Sequence, residues 1–251
     1  MAVAVFGLLV FFALPLVALV VRVPWSDITD DLSDPAIRPA LRLSLVCSVA
    51  ATGLSVVIGV PIAWLLARVE FPGKAVARAL ALLPLVLPPV VGGVALLVAF
   101  GRRGVVGQYL DDWFGIRLPF TTWAAIIAET FVAMPFMIIT VEGALRGVDT
   151  RYEEAAATLG AGRWTVMRRV TLPAIGPSLL AGITLTWARA LGEFGATITF
   201  AGNFRGETQT MPLAVYLALQ TDTGAALTLS LVLLVISIVV LALVGRRVWG
   251  R

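Results

Sequence analysis

Long apolar runs separated by polar stretches dominate the chain, lying near residues 3–21, 43–66, 79–100, 120–141, 178–201 and 226–245. About 20 apolar residues in an α-helix cross the roughly 30 Å of bilayer hydrocarbon, so each run is long enough to span. No run alternates apolar and polar residues with a barrel strand's period of two, and hydrocarbon leaves backbone amides only helices or closed barrels. The pattern predicts an all-α integral membrane protein, a single transmembrane domain over residues 1–251 with six spans.

Within the third run, Pro84, Pro88, Pro89, Gly92 and Gly93 fall close together. Proline removes an intrahelical hydrogen bond and clashes with the preceding turn, so this helix must kink where neighbours or a watery cavity satisfy the freed carbonyls. Pro88 and Pro89 therefore serve either a packing kink or a bending, pathway-lining helix. Three ionisable residues lie inside runs: Glu129 in the fourth, and Arg189 and Glu193 in the fifth. Facing lipid at the bilayer centre, each would cost at least about 2.5–3.5 kcal/mol, so they must face protein or water. Arg189 and Glu193, four apart, share a helix face and can pair, with Glu129 a second candidate partner. The pair is read either as a buried structural salt bridge or as a substrate path or gate, with Arg189 presenting positive potential to a passing anion. Thr184, Thr186 and Thr197 add hydroxyls, although threonine also bonds its own helix backbone.

The one sizeable polar region is the 142–177 loop. Asp149 or Thr150 can cap a helix through Glu153, Glu154, Ala155 and Ala156, the acidic pair suits its positive end, and Gly160 can terminate it. Arg163 to Val170 mixes basic and apolar residues as a helix at the headgroup boundary would, and Pro173 is expected to break it.

Composition narrows the chemistry. Of 251 residues, 59% are hydrophobic and 14% charged, against roughly 25% charged in soluble proteins, and mean hydropathy is +0.97. There is no histidine and one cysteine, Cys47, inside the second run, which excludes histidine triads and relays, cysteine metal clusters and internal disulfides. With the N-terminus inside, the inner loops and tail carry eleven basic residues and the outer loops seven, favouring N-in and C-in. The pI near 10.0 then reflects topology and anionic lipid, not nucleic acid. The first run lacks a basic leader region and is read as a retained helix. Gly73-Lys74 lacks the glycine and hydroxyl of a phosphate loop, so this chain should not bind ATP; no metal, catalytic or cofactor residue is assigned.

Glu154-Ala155-Ala156, three residues, Gly160, nine residues, then Val170-Thr171-Leu172-Pro173 resembles the EAA motif of bacterial ABC importer permeases, with valine in place of the usual isoleucine. Ala188 to Asn203 is similar to the fifth-helix signature of sulfate and molybdate permeases. Gly206 to Tyr216, together with Leu83 to Gly92 and Gly101 to Gly104, is more similar to the molybdate branch. The resemblance covers roughly residues 40–245. It implies a type I importer bundle in a bacterial or archaeal cytoplasmic membrane, moving molybdate or tungstate by alternating access. It also implies a second copy of this chain, two copies of a cytosolic ATPase supplied with ATP and Mg, and an external molybdate-binding protein. Glu153, Glu154, Ala155, Ala156, Gly160, Arg163, Leu172 and Pro173 would form the element coupled to the ATPase. A sulfate or thiosulfate permease is the alternative within the group, and a secondary transporter a more distant one.

Overall fold

The computed structural model describes residues 2–35 and 37–248, and the described residues hold helices and no strand. Arg251, counted above for orientation, lies outside them. Helix α1 covers Ala2–Arg22, and a short α2, Ile28–Ser33, stands in the first polar loop. Helix α3 runs over Ile37–Arg68, 32 residues, through a π-helical turn at Ser55–Gly59. That widened turn ends two residues before Pro61, whose ring would otherwise strike the carbonyl one turn earlier.

The third expected span is two helices, α4 (Lys74–Val86) and α5 (Pro89–Phe100), bent by 119°. Consecutive prolines explain this: a residue preceding proline is pushed out of the α region, and Leu87 (ψ 135°) and Pro88 (ψ 131°) are both extended. The expected kink is therefore a break. After α6 (Gly107–Phe114) comes α7 (Thr122–Gly147), started by Thr121, whose side chain accepts from the Ala124 amide at 3.3 Å. Helix α7 extends six residues beyond the expected span end at 141.

Helices α8 (Arg151–Thr158) and α9 (Arg163–Ala174) form the polar segment. Pro173 does not break α9: a π-turn at Met167–Thr171 again ends two residues before proline and accommodates the ring. The chain bends by 75° only after Ala174. The fifth expected span is likewise interrupted, into α10 (Gly176–Leu191) and α11 (Gly195–Phe200). Helices α12 (Met211–Thr221) and α13 (Thr223–Val248) follow, α12 lying between the fifth and sixth apolar runs. Three helices are long and apolar enough to cross a membrane, or five when each bent pair counts as one span. In α1, the stretch Phe6–Arg22 is shorter.

Helix α7 is the axis of the bundle, with 67% of its apolar window buried against 17% for α13. One apolar cluster joins Cys47, Leu96, Ala128, Ala196 and Phe200, and another joins Ala63, Leu66, Met137, Val141, Leu145 and Ile175. Between them Ala51, Ala133 and Ala190 touch. Three alanines let α3, α7 and α10 approach closely, as small residues do between membrane helices.

Candidate functional site

Two regions gather the residues singled out by the sequence. In the first, between α7 and α10, Asp149 Oδ1 accepts from the Arg151 amide at 3.0 Å and starts α8; Thr150 supplies no side-chain cap. Helix α8 stops in a Schellman motif: the Gly160 amide donates to the Ala157 carbonyl and the Ala161 amide to the Ala156 carbonyl, both at 3.0 Å. Gly160 has φ +86°, and a Cβ there would meet open space. Backbone conformation alone calls for glycine at this position.

Glu153 fastens this segment to the bundle. Its Oε1 accepts from Arg68 Nη2 and from Thr171 Oγ1, each at 3.0 Å. Arg68 Nη2 also donates to the Val148 carbonyl at 3.3 Å. One carboxylate thus joins the last residue of α3, the first turn of α8 and the π-turn of α9. Beside it, Glu142 takes Arg78 at 2.6 Å and Arg146 at 2.8 Å, tying α4 to α7. Leu172 packs against the second apolar cluster, anchoring α9. Lys74 donates to Glu70 at 2.7 Å and holds that exposed carboxyl below its usual range.

Above this base the surface is open. Tyr152, Leu159 and Trp164 are exposed, Leu159 by 88%, and Ala155, Glu154 and Arg163 share the exposed side, the last two without an ion pair among the described residues. A groove of about 780 Å³ runs between Trp64 of α3 and Glu154, Ala157, Trp164 and Met167. A rigid ledge carrying exposed apolar knobs is a surface suited to a protein partner. Sequence reasoning missed Arg68, Arg78, Glu142, Arg146 and Thr171. The pairs Arg68–Glu153 and Arg78–Glu142 bridge 85 and 64 residues, beyond any local pattern; the one available signal was charge at the ends of expected spans.

In the second region the two broken spans meet at their breaks. A Cβ on Gly195 would come within 2.9 Å of Pro89 Cβ and 3.1 Å of the Val90 nitrogen. A turn along, a Cβ on Gly93 would strike the Thr199 hydroxyl and approach the Ala196 carbonyl to 2.7 Å. Helices α5 and α11 therefore cross backbone against backbone, which only these glycines permit. Pro88 and Pro89 open α5 at this crossing.

Arg189 Nη1 meets Glu193 Oε2 at 2.6 Å, with 27% of the arginine side chain and 1% of the glutamate exposed. The contact is a charge pair without hydrogen-bond alignment. Glu193 does not lie on the same helix as Arg189: α10 ends at Leu191, and the carboxylate's Oε1 accepts from the Ala196 amide at 2.8 Å to cap α11. The expected pairing forms across a helix end instead of along a helix face. Glu129 is buried on α7 within Coulombic range of Glu193, yet it makes no ion pair among the described residues. Its Oε2, Thr186 Oγ1 and Thr197 Oγ1 find no hydrogen-bond partner there, at a cost of about 1–3 kcal/mol per buried group. Thr184 bonds the Leu180 carbonyl at 2.8 Å, a structural use. Glu193 and Thr197 thus put charge and unused polar capacity at the interruption of the fifth span, with Glu129 within Coulombic range.

Residues 59–248 match the family described as "binding-protein-dependent transport system inner membrane component". The chain is 49% identical over 239 residues to the molybdenum transport system permease protein ModB of Mycobacterium tuberculosis, covering 95% of this chain and 90% of that protein. It is 46% identical over 228 residues to the protein of that name from Escherichia coli, covering 88% and 99%. The sulfate transport system permease protein CysT of Salmonella typhimurium is more distant, 36% identical over 249 residues, covering 95% and 90%. Among solved structures, a bacterial ABC transporter involved in alginate import matches with TM-score 0.74 at 19% identity, over 98% of this chain and 92% of that one. The MetNI methionine ABC transporter, in an inward-facing conformation, matches with TM-score 0.66 at 20% identity, over 87% and 98%. These structural likenesses show a shared fold.

Proposed function

The chain belongs to the family of binding-protein-dependent transport system inner membrane components, and on that premise we propose that it is the membrane-spanning permease subunit of an ATP-driven molybdate importer. The observation that carries the reading is the clamped, exposed ledge of α8 and α9, which holds the whole EAA-like pattern and is tied to α3 through Arg68 and Glu153. Molybdate is favoured over sulfate by the higher identity to the molybdenum permeases than to the sulfate permease.

In this reading two copies of the chain form the path, and two copies of a cytosolic ATPase press against Leu159, Trp164 and the groove beside Glu154. ATP binding draws the ledges together, and the Glu153 clamp passes that motion to α3 and α9. At the other face an external binding protein delivers the oxyanion. Six spans with both termini inside place the ledge in the cytoplasm, consistent with the basic-residue bias. The paired breaks form the part of the path that rearranges, because the backbone turns extended at Leu87–Pro88 and one helix ends and another begins across Gly192–Phe194. The permease itself has no covalent step; ATP and Mg belong to the partner.

The test is uptake by the reconstituted assembly. Radiolabelled molybdate should enter vesicles only when ATP, the ATPase and the binding protein are all present, and tungstate should compete better than sulfate. Uptake by this chain alone under an ion gradient would identify a secondary transporter. Equal competition by sulfate would move the chain to the sulfate reading.

A further inference from the structure

Arg38 and Arg42 stand one turn apart at the end of α3 remote from the ledge, both exposed and without a hydrogen bond or ion pair among the described residues. Together with Pro39, Leu43, Val46 and Gly206 they line a groove of about 500 Å³. Gly206 holds φ +81° in the turn that closes one side. The acid nearest in the described sequence, Asp34, lines a different cavity with Arg205. The pair also sits in the first turns of α3, where the helix's free amides add positive potential.

Depth along the helix identifies the surroundings. Arg38 and Arg42 precede Arg68 by 30 and 26 residues on one helix, about 45 and 39 Å at 1.5 Å per residue. A bilayer with its headgroups measures about 40–45 Å. With Arg68 in one headgroup layer, the pair lies in the opposite one. Continuing down the same face, Val46 and Val49 are 48% and 61% exposed. The groove therefore has a cationic head and an apolar strip leading into the hydrocarbon.

We propose that this groove binds an anionic phospholipid, its phosphate held by Arg38 and Arg42 and an acyl chain lying over Val46 and Val49. Arginine matches the shape of a phosphate with two parallel donors, and charge complementarity at this depth favours an anionic headgroup. A free oxyanion would gain nothing from the valine strip.

The test uses the full-length chain reconstituted with phosphatidylglycerol and phosphatidylcholine, then extracted for native mass spectrometry. Retained phosphatidylglycerol should fall roughly tenfold or more in Arg38→Gln/Arg42→Gln, from the loss of two cations at a lipid surface. Arg103→Gln, which removes another exposed arginine that makes no ion pair among the described residues, should leave retention unchanged. Val49→Ser should weaken retention while sparing the head contact. Unchanged retention in the double variant would overturn the proposal, as would equal loss in Arg103→Gln, which would indicate surface charge alone. Molybdate binding that depends on the pair, with no preference for phosphatidylglycerol, would overturn it in favour of a free-oxyanion site.

Discussion

Arg68 and Glu153 lie 85 residues apart and meet at 3.0 Å, so the last side chain of α3 holds the first turn of α8. With 12% and 20% of the two side chains exposed, solvent screens the pair only partly. Removing either partner leaves a half-buried charge uncompensated, a larger effect than loss of a surface ion pair. In a double-mutant cycle over Arg68→Ala and Glu153→Ala, the coupling energy should fall at about 0.5–3 kcal/mol. Each single variant should let the ATPase hydrolyse ATP with reduced molybdate uptake. Uptake per ATP equal to that of the parent would remove the clamp from the mechanism.

Gly160 tests the ledge differently. A left-handed backbone costs a residue with a Cβ about 1–2 kcal/mol, and a β-branched side chain fits it least well. Because no atom lies within 4 Å of the Cβ position, Gly160→Val should disturb only the turn. The expected outcome is an intact bundle by circular dichroism with weakened binding of the ATPase. Gly160→Asn, which tolerates this conformation, should restore most of it.

At Gly93 the constraint is space. A methyl group there meets the Thr199 hydroxyl and the Ala196 backbone, and the backbone cannot retreat without separating α5 from α11. Gly93→Ala should lower the thermal midpoint, overpacking costing about 1–3 kcal/mol. Gly53→Ala, with nothing within 4 Å, should be neutral. Equal midpoints would mean that the two half-helices are not locked in this crossing.

The apolar runs made the all-helical fold legible because hydrocarbon admits so few backbone solutions. The Schellman turn at Gly160 and the start of α8 could likewise be read from residues within one turn of each other. What escaped was non-local. Nothing near Arg68 names Glu153, and Gly93 declares a close approach without saying that Ala196 is the neighbour. Hydropathy averaged over a whole span also did not show that Gly192 to Phe194 interrupts it, since the helices on either side of Glu193 are both apolar. Pro173 misled because a π-turn earlier in the helix accommodates it, as another does for Pro61.

Orientation can be tested in a cysteine-free background made by replacing Cys47. Asp111 is a poor position to alter, since Arg117 at 2.9 Å and Arg102 at 3.0 Å converge on it and hold its carboxyl below the usual aspartate range. Asp112→Cys leaves that bridge intact. An impermeant maleimide added to intact cells should label Asp112→Cys and leave Arg163→Cys untouched until the membrane is opened. The reverse pattern would invert the topology.

The Arg189–Glu193 pair admits two roles that one double variant separates. If the charges only neutralise one another, removing one strands a buried charge and costs about 3–5 kcal/mol, whereas replacing both with groups of similar volume restores stability. Glutamine suits position 193 because its carbonyl oxygen can still accept from the Ala196 amide, preserving the start of α11. Methionine at 189 keeps the length of the arginine stem without its charge. Arg189→Met alone should therefore be the less stable protein, leaving Glu193 buried near Glu129 with no cation. Arg189→Met/Glu193→Gln should fold, bind the ATPase and hydrolyse ATP in either case, so transport is the deciding readout. The partial exposure of Arg189, against the burial of Glu193, leaves guanidinium donors free to face a passing oxyanion, and the double variant is expected to lose molybdate uptake while keeping ATP hydrolysis. Uptake at the parent rate would assign the pair to structure alone.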